Sequence, residues 1–95
     1  MKIHFYSGIR DISGCKELEL PYEKNAGLLL NTLCEHFGGK FKEKIYSEAG
    51  KDGEVKFNKD TLILINGRHI MQLGGANALI KQDDRIDILP VVGGG

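Results

Sequence analysis

Two short segments near the start of the chain alternate apolar and polar side chains. Residues 2–6 form the first segment and residues 15–20 the second. Alternation with a period of two predicts β-strands that each bury one face. Pro21 is expected to end the second strand, because proline cannot donate a hydrogen bond to a sheet. Between the two strands, residues 9–12 are expected to form a loop held by two apolar side chains.

The middle of the chain carries a helical stripe. Six apolar side chains recur at spacings of three and one residues, at Ala26, Leu29, Leu30, Leu33, Cys34 and Phe37. This spacing predicts an amphipathic helix with a single apolar face. Asn25 is expected to cap its first turn, and Gly38 and Gly39 are expected to end it. Phe41 and Ile45 then predict a short second helix.

The second half of the chain predicts a hairpin. Residues 48–60 are mostly polar and are expected to form a loop or a weak hairpin. Residues 61–65 are all β-branched or aliphatic, which is typical of a strand buried on both faces. Asn66 and Gly67 favour a tight hairpin turn, because both turn positions require a positive φ. Residues 68–70 are expected to form the short returning strand.

The remaining segment predicts a last strand preceded by a polar turn. Four apolar residues are expected to tuck a loop or one helical turn under the sheet, namely Leu73, Ala76, Leu79 and Ile80. Residues 81–84 are expected to form the polar turn. The last strand is predicted over residues 85–92, with Pro90 interrupting it.

The order of these elements predicts an α+β fold. A helix with one apolar stripe needs one face of a single sheet to cover it. We therefore expect a mixed sheet of four to five strands with one main helix packed on one face, which is the β-grasp or ubiquitin-like layout. The first and last strands are expected at the centre of the sheet, with Pro90 at its edge. Residues 1–92 are assigned to this domain and residues 93–95 to a flexible tail.

Length and charge narrow the class of protein. The chain has 95 residues, enough for a single hydrophobic core, and its 13 basic and 13 acidic side chains cancel. Without a basic field, neither nucleic acid nor an anionic membrane is an expected partner. No apolar run is long enough to cross a bilayer, and no charged-then-apolar leader opens the chain. A cytoplasmic location is therefore expected.

Side chains that hold metals, clusters or phosphates lack the required spacing. Three histidines are scattered over separate predicted elements, so no metal site is expected. Cys15 and Cys34 are too few for an iron–sulfur ferredoxin, which needs four cysteines. We interpret both as structural thiols, with reversible disulfide pairing left open. Gly74 and Gly75 lack the Lys-Ser/Thr of a phosphate loop. We therefore expect neither a bound cofactor nor an enzyme that acts alone.

Three glycines end the sequence. Gly93, Gly94 and Gly95 follow the apolar residues of the last strand and have no side chain to pack. They form a thin thread with an α-carboxylate at its tip, a shape that suits entry into a partner's narrow active site. The alternative is a frayed chain end or a spacer, for which glycine is also common.

Several motifs resemble those of the MoaD/ThiS sulfur-carrier family. They are Ile-Leu-Ile-Asn-Gly-Arg at residues 63–68, Lys-Gln-Asp-Asp-Arg-Ile at residues 81–86, the run over residues 88–95, and the opening at residues 3–10. The resemblance covers nearly the whole chain in element order. Residues 40–60 resemble an insertion, which makes the chain more similar to the molybdopterin synthase small subunit than to the shorter thiazole-pathway carrier. Gly93 departs from the molybdopterin branch, which usually has another residue there.

The resemblance implies a sulfur carrier that has no active site of its own. A ubiquitin-activating-like adenylyltransferase would use ATP and magnesium to adenylate Gly95. A sulfur donor of the cysteine desulfurase or rhodanese type would then convert it to a thiocarboxylate. The sulfur acceptor would be a pterin precursor on the molybdopterin synthase large subunit, in molybdenum or tungsten cofactor assembly. The chain would be the small subunit of that synthase.

The resemblance also implies which residues meet the partners. Gly94 would keep the tail thin at the narrowest part of the partner's channel. The expected partner-docking residues are Tyr6, Leu89, His69, Ile70 and Gly93. Ordinary surface or core packing is the alternative for these side chains. The alternative functions are a ubiquitin-like modifier joined through Gly95 to a lysine of a target, a carrier for thiamine thiazole or another sulfur-containing metabolite, and a passive interaction domain.

Overall fold

The computed structural model describes residues 1–47 and 56–91. Within these ranges the strands are β1 Lys2–Phe5, β2 Glu17–Glu19, β3 Thr61–Ile65, β4 Arg68–His69 and β5 Ile86–Pro90. The α-helices are α1 Ser7–Ser13, α2 Ala26–Phe37 and α3 Gly39–Ile45. Two 3-10 turns lie between β4 and β5, at Ile70–Gln72 and Gly75–Asn77.

One mixed sheet organises the fold, and its five described strands follow the order β2-β1-β5-β3-β4. β1 runs parallel to β5, and the other neighbouring strands are antiparallel. The first and last strands are therefore side by side, with β5 in the middle of the sheet. The predicted β-grasp fold is confirmed.

The helices cover one face of the sheet and build the core with it. Side chains alternate along each strand, and the inner face of the two central strands is lined by Ile3, Phe5, Ile86 and Ile88. The predicted stripe of α2 packs in the same core, with its buried residues at Ala26, Leu29, Leu30 and Leu33. Burying one such large apolar side chain contributes roughly 1.5–3 kcal/mol relative to leaving it exposed.

Both predicted ends of α2 are confirmed. The Asn25 side chain accepts a hydrogen bond from the Leu28 N–H at 2.9 Å, which satisfies a donor that the start of a helix leaves free. At the other end, Gly38 adopts a φ of 91° and its N–H donates to the Cys34 carbonyl at 2.8 Å. The short α3 follows as predicted, and both of its apolar side chains are buried.

The loop expected between the first two strands is instead the helix α1, Ser7–Ser13. Ile9 is buried and Ile12 packs against the core, a spacing of three that suits one face of a helix. The Tyr6 carbonyl accepts hydrogen bonds from the first turn, and the Gly14 N–H closes the last turn. The segment holds about two helical turns, which is too short for its periodicity to be recognised in the sequence.

The segment before β5 differs from the prediction at Leu79, which is 79% exposed instead of tucked under the sheet. The backbone of Ala78 and Ile80 pairs with residues 24–26 through N–H···O distances of 2.9 and 3.0 Å. Side chains alternate along extended backbone, so that Ala78 and Ile80 are buried while Leu79 faces solvent. Ala76 is also exposed.

β5 ends at Pro90, earlier than the strand predicted over residues 85–92. Pro90 therefore lies at the end of a central strand and not at the sheet edge. The N–H of Val91 donates to the Asp60 carbonyl at 2.9 Å, on the β3 side. Successive N–H groups point to opposite sides of a strand, so the nitrogen of Pro90 faces the β1 side. The Tyr6 carbonyl on that side accepts from α1, and the missing N–H of proline costs no sheet hydrogen bond.

Residues 48–55 of the predicted loop lie outside the described residues. Its two flanks are paired, since the Ser47 N–H donates to the Lys56 carbonyl at 2.9 Å. Tyr46 and Phe57 form an antiparallel bridge, and their rings stack with centroids 5.6 Å apart. The described base of this segment therefore has the pairing of a hairpin.

Candidate functional site

The outer face of the sheet lies opposite the helices, and one row of side chains crosses it from edge to edge. In the strand register, His4 of β1 lies opposite both Glu17 of β2 and Asp87 of β5. Asp87 lies opposite Leu64 of β3, which lies opposite His69 of β4. These residues alternate with the core residues of their strands and so project away from the helices. We define the outer face as this row together with Tyr6, Leu62, Arg85 and Leu89.

Three leucines make one part of the outer face apolar. Leu62 lies opposite Leu89 in the pairing of β3 with β5, and Leu64 follows two positions along β3. All three are half-buried, and none is among the described residues that pack against the core. Tyr6 continues this surface beyond the end of β1 and is 37% exposed. Contiguous apolar surface on a folded domain is typical of a protein-interaction site.

A hydrogen-bonded cluster of Tyr6, Arg85 and Asp87 lies beside the leucines. The Tyr6 hydroxyl donates to Asp87 Oδ1 at 2.8 Å, and Arg85 Nε donates to both carboxylate oxygens at 3.1 Å. Arg85 Nη2 also donates to the Tyr6 hydroxyl at 2.9 Å. Asp87 is only 9% exposed, and a nearly buried carboxylate is costly unless it is paired and hydrogen-bonded. The hydrogen bonds to Asp87 and then to Tyr6 raise the pKa of the Arg85 guanidinium above its ordinary value.

The outer face adjoins the point where the chain leaves the sheet. The Tyr6 N–H donates to the Ile88 carbonyl at 3.1 Å, so the end of β1 lies next to the end of β5. Val91 follows β5 and is exposed. Tyr6 and Leu89 therefore lie close to the last described residue, after which the sequence continues into its glycines.

The sequence profile of the ThiS family matches residues 3–95, which is nearly the whole chain and includes the three terminal glycines. The chain belongs to the ThiS family. No curated protein sequence matches it. Membership assigns the chain to a group of small ubiquitin-like carriers and modifiers.

Several solved structures share the fold of this ThiS-family chain. The small archaeal modifier protein 1 of Methanosarcina acetivorans is 30% identical with a TM-score of 0.81, and the match covers 99% of this chain and 94% of that one. A chain of the BexX/CysO complex of Amycolatopsis orientalis is 19% identical with a TM-score of 0.75, and the match covers 99% of this chain and 98% of that one. A Pyrococcus furiosus protein assigned as molybdopterin converting factor subunit 1 is 24% identical with a TM-score of 0.66, and the match covers 96% of this chain and 95% of that one. The last two show a shared fold.

Tyr6, Leu89 and His69 lie on the outer face of this ThiS-family protein, where the sequence predicts a docking surface. Ile70 does not, because its side chain is fully buried, and the prediction that it adds to an exposed surface is wrong. His69 Nδ1 accepts a hydrogen bond from the Met71 N–H at 3.0 Å and caps the 3-10 turn that starts at Ile70. Ile70 follows the outward-facing His69, so its side chain lies on the core side of the sheet. The described residues do not include the predicted tail residues Gly93, Gly94 and Gly95.

Four outer-face residues do not stand out in the sequence, namely Leu62, Leu64, Arg85 and Asp87. Residues 61–65 predict a strand buried on both faces, but only alternate residues of β3 are buried. Asp87 is an acidic residue within an apolar strand, which signals that a polar partner is needed. Arg85 precedes it by two positions and so projects from the same face.

The described residues contain no group of three or more His, Cys, Asp or Glu side chains that could hold a metal ion. Cys15 and Cys34 are half-buried free thiols that pack against the core. Burial raises the pKa of the Cys34 thiol, which disfavours the reactive thiolate. No helix in the described ranges has the length and apolar character needed to cross a membrane. The outer face and the adjoining end of β5 are therefore the candidate functional surface of the described chain.

Proposed function

We propose that this ThiS-family chain is a sulfur carrier for molybdopterin biosynthesis, with Gly95 as the reacting residue. The observation that supports this most strongly is the family match, which extends through residue 95 and so includes the glycines that follow β5. The carboxylate of Gly95 is adenylated and converted to a thiocarboxylate. The molybdopterin synthase large subunit then uses that sulfur, and the chain acts as carrier and co-substrate.

The carboxylate needs activation before sulfur can replace one of its oxygens. An α-carboxyl group is ionised at neutral pH, since its ordinary pKa is about 3.5, and a carboxylate is a poor electrophile. The adenylyltransferase partner supplies ATP and magnesium. A carboxylate oxygen of Gly95 attacks the α-phosphorus and pyrophosphate leaves. Sulfide then attacks the acyl carbon, and AMP leaves with that oxygen. With a persulfide donor, the terminal persulfide sulfur attacks the acyl carbon as AMP leaves, which forms an acyl disulfide. A thiol then attacks the donor's sulfur, forms a disulfide with it and frees the thiocarboxylate.

The division into a folded domain and a tail suits this chemistry. Residues 1–92 serve as the part that partners hold, and residues 93–95 serve as the thread that enters their active sites. A side chain at Gly94 or Gly93 would widen the thread and restrict its φ angles. Glycine at these positions keeps the approach to the acyl group open.

The outer face is the proposed docking surface for these partners. Leu62, Leu64 and Leu89 supply apolar area, and Tyr6 and His69 supply polar groups at its margins. Tyr6 and Leu89 lie close to the last described residue, so a partner that holds the tail in its active site is near enough to cover this face. A structure of the same fold occurs in the BexX/CysO complex, which supports a protein as the partner.

Three partners would use this surface in turn. They are the adenylyltransferase, a sulfur donor of the cysteine desulfurase or rhodanese type, and the large subunit that accepts the sulfur. Because each must reach the same carboxylate, their complexes with the chain are expected to exclude one another.

A ubiquitin-like modifier is the second candidate function. The observation that favours it is the 30% identity to the small archaeal modifier protein 1 over 99% of this chain. The fold, the tail and the adenylation step are the same for both functions. In a modifier, a lysine amine of a target attacks the Gly95 acyl carbon, and an amide bond forms as AMP leaves.

The intact mass of the chain after reaction tests both candidates. The chain is incubated with its adenylyltransferase, ATP, magnesium and sulfide, and the C-terminal peptide is fragmented. The expected result is a mass gain equal to the exchange of one oxygen for sulfur, located at Gly95 and absent when Gly95 is deleted. Adenylation without sulfur gain, followed by addition to lysines of other proteins, would favour the modifier. An enzyme that binds the chain but forms neither product would overturn both candidates.

The sulfur acceptor needs a separate experiment. The purified thiocarboxylate form is mixed with the molybdopterin synthase large subunit and the pterin precursor, and in parallel with a thiazole synthase. Formation of the dithiolene product with return of Gly95 to a carboxylate is expected. Sulfur transfer in the thiazole reaction alone would assign the chain to that pathway instead.

A further inference from the structure

Arg85 is held in one conformation at both its backbone and its side chain. Its N–H donates to Asn66 Oδ1 at 2.9 Å, and its carbonyl accepts from the Asn66 N–H at 2.8 Å. Its Nε donates to both oxygens of Asp87 at 3.1 Å, and its Nη2 donates to the Tyr6 hydroxyl at 2.9 Å. An arginine side chain normally has many rotamers. Here its guanidinium has a defined position on the outer face.

The guanidinium of Arg85 keeps donors that the described residues do not use. It carries five N–H groups in a planar fork. Nε and one N–H of Nη2 are directed to Asp87 and Tyr6, and no described residue accepts from the other three. The Arg85 side chain is 56% exposed, compared with 13% for the side chain of Asp87 taken alone. The edge formed by Nε is therefore occupied, while the Nη1 and Nη2 end of the fork faces solvent.

The structure assigns Arg85 as a docking anchor that binds a carboxylate side chain of the adenylyltransferase. This inference rests on the proposed function, in which partners cover the outer face. A partner that lies over the three leucines would also remove water from the free end of the Arg85 fork. Unpaired donors of a charged group are costly to bury, so the partner must bring an acceptor. A carboxylate matches the spacing of the two terminal nitrogens and can accept from both.

The cluster explains why an arginine, and not a lysine, occupies this position. Asp87 and Tyr6 fix the plane of the Arg85 fork before the partner arrives, so less side-chain freedom is lost on binding. A lysine at residue 85 would keep the charge but would present a single ammonium without a fork. Arg85 is thus expected to contribute to orientation as well as to attraction.

The affinity of the chain for its adenylyltransferase tests this assignment, measured by calorimetry at low and high salt. We expect Arg85→Gln to weaken binding about 10- to 100-fold, the loss typical of hydrogen bonds to a charged group. Arg85→Lys is expected to recover only part of that loss. Lys40→Gln is the matched control, because it removes the same charge from an exposed position on α3, on the helix side of the sheet. Its affinity should equal that of the unchanged chain.

Two outcomes would overturn the assignment. If the unchanged chain binds and is adenylated while Arg85→Gln binds within about twofold of it, the anchor is wrong and the proposed function stands. If the unchanged chain neither binds nor is adenylated, the proposed function and the anchor both fail.

A measurement on the unchanged chain covers the case in which the Arg85 variants do not fold. The side-chain ¹⁵N signals of Arg85 are recorded with and without the adenylyltransferase. Slower exchange of the Nη protons in the complex is expected. Unchanged Arg85 signals in a fully formed complex would contradict the anchor.

Discussion

The side-chain amide of Asn66 donates to Asp84 Oδ1 at 2.8 Å, across 18 positions of the chain. Asn66 Oδ1 in turn accepts from the Arg85 N–H, and Asp84 Oδ2 accepts from the Lys81 N–H at 2.7 Å. The turn between β3 and β4 is therefore bound to the turn that precedes β5. Two of the motifs that resemble the sulfur-carrier family are thus parts of one hydrogen-bonded unit, which also positions the backbone of Arg85.

Two substitutions of Asn66 should separate the contribution of these hydrogen bonds to stability from the contribution of its backbone conformation. Asn66 has a φ of 51°, which favours glycine or asparagine over alanine. Asn66→Gly removes the side-chain hydrogen bonds and keeps the backbone relaxed, so a loss of about 1 kcal/mol in the free energy of unfolding is expected. Asn66→Ala adds backbone strain and should lose about 1 kcal/mol more. Urea denaturation measures both, and equal losses would contradict the strain.

The two faces of β5 should respond differently to truncation. Ile88 is fully buried in the core, whereas its neighbour Leu89 is half-buried on the outer face. Ile88→Ala is expected to cost about 2–5 kcal/mol of unfolding free energy, and Leu89→Ala less than about 1 kcal/mol. Leu89→Ala should instead weaken binding to the adenylyltransferase about tenfold. Calorimetry and urea denaturation on both variants check this, and a Leu89→Ala protein that binds normally would exclude Leu89 from the docking surface.

Local patterns were sufficient to predict most of the fold. The stripe of α2, its Asn25 cap and the alternation of the strands each depend on residues close together in the chain. α1 has only a weak local signal, because its two apolar residues fall within about two helical turns. The exposure of Leu79 depends on pairing with residues 24–26, and no local pattern reports that distant contact.

The candidate site could be predicted only in part, because it depends on register between distant strands. Tyr6 and Asp87 are 81 positions apart, and they meet because β1 pairs with β5 in parallel. The resemblance to the sulfur-carrier family indicates Tyr6 and Leu89 as docking residues, whereas their position on one face of the sheet follows from the register of β1, β3 and β5. The expectation for Ile70 is wrong because adjacent residues along a strand face opposite sides of the sheet, so Ile70 lies on the core side while His69 faces outward.

Gly27 should resist substitution by alanine although it lies in a helix. A Cβ on Gly27 would lie 3.0 Å from the Ala76 carbonyl oxygen and 3.2 Å from the Ala76 Cβ. Alanine in a helix gains up to about 1 kcal/mol over glycine, but overpacking against this backbone costs about 1–3 kcal/mol. We expect Gly27→Ala to lose about 1 kcal/mol of unfolding free energy. Gly39→Ala, with nothing within 4 Å of its Cβ, is the matched control and should lose nothing. A Gly27→Ala protein more stable than the unchanged chain would contradict the close approach.

The stability of the protein should fall as the pH rises through the alkaline range. Burial raises the pKa of the Cys34 thiol, and burial followed by the charge of Cys34 raises the pKa of Tyr46. The folded state therefore holds these protons more tightly than the unfolded chain. The contribution of Cys34 to the free energy of unfolding is fully present below the pKa of this thiol in the unfolded chain, about 8.5. It is lost as the pH rises through the pKa of the thiol in the folded protein. Urea denaturation from pH 7 to pH 10 should show the decline, and Cys34→Ala should reduce its slope. Equal slopes for Cys34→Ala and the unchanged chain would mean that Cys34 does not contribute to the loss of stability at alkaline pH.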